Sequence, residues 1–221
     1  MSDAPRMQVE IWSDVVCPFC YIGKRQLGAA LAAWPQRDRV AVVWRSFQLA
    51  PDTRTDPTRS AMQNLAEKKG WTLDTSREAM AGVTSRAAVV GLHLDFDRAT
   101  VANTFDAHRL THEAAAHGRG DELVEALFEA YFVDGRNIGD REVLAQMATG
   151  IGLPETEVRA MLDSDRYAAE VQQDIDQARR FGIAAVPCFV FDRKYAVSGA
   201  QESSVLRQAL QQSLAGWQAR T

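Results

Sequence analysis

Two cysteines, Cys17 and Cys20, stand three residues apart in VEIWSDVVCPFCYIGKRQL, residues 9–27, where strand-forming residues give way to a helical pattern. A thiol at the start of a helix faces unpaired backbone N–H groups and the positive end of the helix dipole, so its thiolate is stabilised and its pKa falls. Pro18 suits the first helical position, where its missing N–H costs nothing and its φ is already set. Cys20 lies on the same helical face, within reach of the first sulfur. The pair is therefore expected to open and close a disulfide with little backbone movement. In such exchange Cys17 attacks a substrate disulfide, and Cys20 then attacks Cys17 and releases the reduced substrate; oxidation runs the same steps backwards. A strand before the motif and a helix after it make this a stronger signal than an isolated CxxC, and paired thiols at such a junction are a poor way to fill core volume.

The surrounding elements must hold that junction in place. Residues 8–13 alternate as a strand does, with Val9 and Ile11 on one side and Trp12 adding β-propensity. Ile22, Leu27, Ala30, Leu31 and Trp34 recur at helical spacing, giving a helix from Pro18 to Trp34 that Pro35 ends. Residues 40–51, VAVVWRSFQLAP, form a second strand and complete a βαβ unit, right-handed if the strands are parallel. Residues 52–59, rich in Pro, Thr and Asp, read as a linker. Helical composition with glycine stops follows over 60–69, 76–90, 100–117, 121–132, 140–149, 155–163 and 167–181. Strand character returns at 186–191 and 195–198, a hairpin turning at 192–194, before a last helix over about 202–217. The order β-α-β, helical block, β-β-α is that of an α/β, thioredoxin-like fold with a large inserted α-helical domain. Residues 1–52 and 183–221 would form the first part and 53–182 the insertion.

Composition excludes several classes. The 25 Lys and Arg are spread among 29 Asp and Glu rather than clustered, so neither nucleic acid nor an anionic membrane is an expected partner. The opening MSDAPRMQVEIWSD has no basic or apolar leader pattern, and no apolar run nears ~18 residues, so a cytoplasmic location is expected. Three cysteines make no disulfide framework, and no second CxxC completes a zinc site. His108 and His112 are spaced i, i+4 but lack a third ligand, so no metal is expected.

With CPFC near one end, Val186-Pro187 before a terminal hairpin, and a helical block between, the chain resembles the DsbA family of thioredoxin-like oxidoreductases. WSDVVCPFCYIGKRQL, NTFDAHRL at 103–110 and GIAAVPCFVFDRKYAVSGAQ at 182–201 resemble its cytoplasmic FrnE-like branch. The resemblance implies a thiol-disulfide oxidoreductase that exchanges electrons with a disulfide-containing protein or small molecule. It would act as a monomer or homodimer, with no bound cofactor beyond a redox-active Cys17–Cys20 disulfide and with glutathione as an eligible co-substrate. By position, Pro187 looks like the cis-proline facing the CxxC. A proline opening a strand also removes an N–H near the thiols and leaves the Val186 backbone to pair with an extended substrate segment. Pro18, Phe19 and Val186 would then touch substrate. The helix carrying Asn103, His108 and Arg109 would border the cleft, where Asn or Arg could bind a carboxylate such as that of glutathione, or else serve helix packing.

Two departures matter. DsbA carries His where this chain has Phe19, which cannot donate a hydrogen bond or a positive charge to the Cys17 thiolate; a less oxidising pair is expected, in the range of about −200 to −270 mV. In the 2-hydroxychromene-2-carboxylate isomerases and kappa-class glutathione transferases, which share the fold, serine stands in place of Cys17. A glutathione-dependent isomerase or transferase acting on an aromatic or polyketide-like compound is accordingly the second reading. Asp14 either caps the loop or relays protons to Cys20. Cys188 is either a buried, inert thiol or a third redox partner, and Trp12, Trp44 and Phe189 read as core.

Overall fold

The computed structural model describes residues 6–219. The chain runs β1 (Met7–Ser13), α1 (Pro18–Ala32), β2 (Val40–Ser46), β3 (Asp56–Ser60), α2 (Ala61–Lys69), α3 (Leu73–Val89) and β4 (Thr100–Val101). It continues through α4 (Phe105–Ala116), α5 (Gly120–Glu129), α6 (Arg141–Gly150), α7 (Glu155–Leu162) and α8 (Ala168–Arg180) to β5 (Cys188–Phe191), β6 (Tyr195–Ser198) and α9 (Ser203–Gln218).

Four strands form a sheet in the order β2-β1-β5-β6. β1 pairs parallel with β2, from Met7 opposite Val40 to Ser13 opposite Ser46, and antiparallel with β5, from Val9 opposite Phe191 to Trp12 opposite Cys188. The C-terminal end of β1 thus meets the start of β5. That pairing brings Pro187, just before β5, beside the CPFC segment that follows β1.

Alternation along β1 sends successive side chains to opposite faces. Met7, Val9 and Ile11 join Val40, Phe189 and Phe191 on one face, covered by Leu27 and Ala30 of α1 and by Leu206, Leu210, Leu214 and Trp217 of α9. Trp12 and Cys188 belong to the other face, in a core shared with Leu110, Leu127, Phe128 and further residues of the helical block. The inserted helices therefore supply the second layer on the sheet. Trp12 Nε1 donates to the Asp174 carbonyl of α8 at 2.9 Å, which satisfies the indole within that core.

Beyond shifts of two or three residues at element ends, the structure departs from the sequence expectation in four places. β2 stops at Ser46 rather than reaching Pro51, because the Leu49 N–H is taken by the Asp14 carboxylate at 2.8 Å instead of by a neighbouring strand. The segment read as a linker contains β3, which pairs antiparallel with β4 through Asp56 opposite Val101 and Ser60 opposite Thr100. Pro57 and the polar residues around it resemble a loop, and the partner is two residues long, so alternation had nothing to register. α4 begins at Phe105, the residues before it serving β4 and a turn. At Ala130, α5 widens into one π-helical turn over Ala130–Asp134. Among the described residues no helix is long and apolar enough to cross a membrane.

Candidate active site

Cys17 is the N-cap of α1, with extended backbone (φ −97°, ψ 112°), and Pro18 occupies the first turn. The Cys17 N–H donates to the Asp14 carbonyl at 3.0 Å and the Cys20 N–H to the Cys17 carbonyl at 3.0 Å, which closes the turn around the motif. No acidic side chain lies in the first turn of α1 to oppose a thiolate. Both thiols are free and buried.

Their ionisation is opposed. A hydrogen bond from the Cys20 thiol holds Cys17 below the ordinary value of 9.0, aided by the backbone N–H groups of Cys20 and Phe19 against burial and the charge of Asp14. Burial pushes Cys20 well above 9.0, and the neighbouring Cys17 adds to this; the Ser13 hydroxyl and the Asp14 backbone offset part of it. The first proton therefore leaves Cys17, and Cys20 keeps its own. As a thiol, Cys17 Sγ lies 3.6 Å from the Val186 carbonyl oxygen, and the Val186–Pro187 peptide is cis.

Cys17, Pro18 and Phe19 open onto a cavity of about 610 Å³. Its wall is apolar: Met62 and Leu65 of α2, Met80 of α3, Phe96, Val101 of β4, Tyr131 and Phe132 of the π turn, and Ala184, Ala185 and Val186 before the hairpin. Lys68 and Lys69 bring positive charge to it. The β3–β4 ribbon carries α2 into position: Ser60 Oγ accepts the Met62 N–H as N-cap, and the Ala61 N–H donates to the Ala99 carbonyl at 2.9 Å. Tyr131 Oη donates to the Thr100 carbonyl at 3.1 Å, so the π turn and the ribbon brace one another.

Residues 8–211 match the DSBA-like thioredoxin domain. The chain belongs to that family. It is 41% identical to a probable DsbA oxidoreductase of Streptomyces coelicolor, with a TM-score of 0.89 over 95% of this chain and 91% of that one. It is 27% identical to the uncharacterised protein YwbO of Bacillus subtilis (strain 168), across 92% of this chain and 96% of the relative. A 2-hydroxychromene-2-carboxylate isomerase shares the fold at 15% identity, with a TM-score of 0.70 over 97% of this chain and 98% of that one.

In this member of the DSBA-like family, Cys17, Cys20, Pro18, Phe19, Val186 and Pro187 come together, and Asp14 lies beneath them, buried. Asp14 Oδ2 accepts the Leu49 N–H, and Oδ1 lies 3.4 Å from His108 Nε2; neither of these last two atoms makes a well-formed hydrogen bond. His108 thus backs Asp14 from α4. Asn103 acts on the cavity rim through the chain: its Nδ2 donates to the carbonyls of Pro51 and Thr53, and its Oδ1 accepts the Phe105 N–H. Arg109 is placed elsewhere. Its buried guanidinium donates to the carbonyls of Met161, Ser164 and Arg166 and to the Asp106 carboxylate, which leaves no free fork for a substrate carboxylate. Nor do His108 and His112 converge on one ion, since His112 Nε2 faces Asp174 and Ser46. Cys188 is buried, and burial raises its pKa.

Two residues outside the CxxC motif, Arg86 and Gly23, also shape the site. The Arg86 guanidinium of α3 sits 5.2 Å from the Phe19 ring centroid, bringing positive charge to the dipeptide between the cysteines. Gly23 lets α1 approach the hairpin: a Cβ there would lie 3.0 Å from both Pro187 Cγ and Phe189 Cζ. A glycine inside a helix invites the question of close approach, which only the packing answers, since Gly28 of the same helix has nothing within 4 Å of an added Cβ; the cavity wall had no such mark.

Proposed function

We propose that this protein exchanges electrons between its Cys17–Cys20 dithiol or disulfide and a disulfide in a protein or small molecule. The observation that carries this reading is the placement of two free thiols at the N-terminus of α1, with Cys17 against the cis Val186–Pro187 peptide, and the lowered Cys17 and raised Cys20 pKa agree with it. The Cys17 thiolate attacks one substrate sulfur, the substrate S–S bond breaks, and one substrate thiolate leaves. Cys20 then loses its proton and attacks Cys17 Sγ, which forms the Cys17–Cys20 disulfide and expels the second substrate thiolate. Two electrons pass to the substrate. Asp14 stands close enough to Cys17 for its charge to act on that thiol, which supports a role for it in accepting the Cys20 proton. The redox-active disulfide is the only group the cycle needs, and a thiol such as glutathione can restore the dithiol. With only three cysteines and no disulfide framework, the chain also suits a cytoplasmic setting, which cell fractionation would test.

The test is an equilibrium titration in glutathione redox buffers, quenched with an alkylating reagent and read by intact mass and peptide mapping. The expected result is interconversion of Cys17 and Cys20 as an intramolecular disulfide, with Cys188 alkylated only after unfolding. A stable glutathione adduct on Cys17 beside a free Cys20 would overturn the reading. That outcome would favour a glutathione-dependent isomerase or transferase, a reading supported by the apolar, small-molecule-sized cavity beside Cys17. Turnover of an aromatic substrate that survives Cys20→Ser separates the two.

A further inference from the structure

The C-terminal end of α4 and the first turn of α7 bring together Glu113, His117 and Glu157. Glu113 Oε1, His117 Nε2 and Glu157 Oε2 all lie within 4.8 Å of one another; His117 Nε2 is 3.4 Å from the first and 3.3 Å from the second oxygen. Glu113 is fully buried, and its Oε1 accepts no hydrogen bond. A buried carboxylate oxygen without a donor is costly. Its other oxygen accepts from Arg166 Nη2, which holds the carboxylate with Oε1 turned toward the imidazole. The His117 Nε2 stands between two carboxylate oxygens and carries at most one hydrogen, so it can serve only one of them at a time, whereas a cation would be shared by all three groups.

We propose that Glu113, His117 and Glu157 bind a divalent cation of borderline softness, with Zn2+ as the representative ion. Bonds of about 2.0–2.2 Å in tetrahedral geometry place ligand atoms about 3.3–3.6 Å apart. The two His117 separations already have that length. Glu157, with its side chain 50% exposed, is free to swing in and close the third edge. One imidazole and two carboxylates suit Zn2+ better than Ca2+ or Mg2+, which take six or more oxygens or several waters. The ion would satisfy the buried Glu113 Oε1 and clamp α4 to α7. This site is separate from the thiols: His117 follows His108 by nine residues, about 14 Å along the helix. Spacing rules pass it by because Glu157 lies forty residues beyond His117.

The test titrates Zn2+ calorimetrically into the chelator-stripped, disulfide-closed protein, in which Cys17 and Cys20 are not available as ligands. One equivalent should bind, and the thermal midpoint should rise. His117→Ala and Glu157→Gln, both at solvent-accessible positions, should each weaken binding by about tenfold or more, the size of effect lost when even the support of a metal ligand is removed. Both variants should retain the disulfide-exchange rate of the unaltered protein. Absence of binding to the disulfide-closed protein, or binding in either variant as tight as in the unaltered protein, would overturn the proposal.

Discussion

At the residue scale the chemistry rests on which sulfur holds a proton. Cys17 lies below the ordinary thiol value and Cys20 above it, so alkylation of the reduced protein should occur at Cys17 with a midpoint below pH 9.0. Cys20 and Cys188 should react only after unfolding, which peptide mapping across a pH series would check. Asp14 bears on this directly. Its negative charge raises the Cys17 pKa, so Asp14→Asn should move the alkylation profile to lower pH. Stabilising the Cys17 thiolate stabilises the reduced form, so the same variant should have a more oxidising disulfide while resolving mixed disulfides more slowly. A profile that moves to higher pH would contradict the assigned sign.

Elements decide how closely the reacting groups meet. α1 approaches the hairpin at Gly23, where an added Cβ would press on two rings, Pro187 and Phe189. Gly23→Ala should therefore cost about 1–3 kcal/mol by overpacking, read from the urea midpoint, and should slow exchange by pushing Cys17 away from Pro187. Gly28 stands on the exposed side of the same helix with nothing within 4 Å of its added Cβ. Gly28→Ala should stabilise by about 0.5–1 kcal/mol, because alanine relieves the backbone entropy cost of glycine in a helix. Opposite signs from one substitution on one helix isolate contact from propensity. The β3–β4 ribbon is the other deciding element, since it roots α2 over the cavity.

For the whole molecule, β1, β2, the turn of the terminal hairpin and the helical block are tied by charges around the buried Glu10. Arg45 Nε and Arg193 Nε donate to its carboxylate at 2.9 and 2.8 Å, and Arg45 Nη1 reaches Asp174 of α8 at 3.1 Å. Burial pushes the Glu10 carboxyl up, but the hydrogen bonds from Arg193 and Arg45 outweigh it and leave the pKa below 4.5. A carboxyl lowered on folding contributes stability above its unfolded pKa, and that contribution is lost as pH falls through the folded value. Glu10→Gln should cost about 3 kcal/mol at neutral pH, near the low end for a broken buried pair because Arg193 is half exposed. The difference from the unaltered protein should shrink in acid below pH 4.5, as chemical denaturation at several pH values would record.

What could be read in the sequence was local. The CPFC junction, the β-α-β start and the hairpin end follow from hydrogen bonding, dipole and periodicity among residues a few positions apart, and Cys17, Pro18 and Cys20 carry their chemistry within one turn. Periodicity also marked most of the inserted helices, because each buries one stripe. It did not say which partner each stripe meets. The Cys17 thiol and the Val186 carbonyl, 169 residues apart, meet only because β5 pairs with β1. Arg109 is drawn away from the cleft to carbonyls of the loop before α8, and Asp14 takes the Leu49 N–H. The apolar wall of Met62, Phe96 and Tyr131 comes from three separate segments. Side-chain type fixes what a group can do nearby, whereas burial and long-range contact, set by tertiary packing, decide what it has left to do it with.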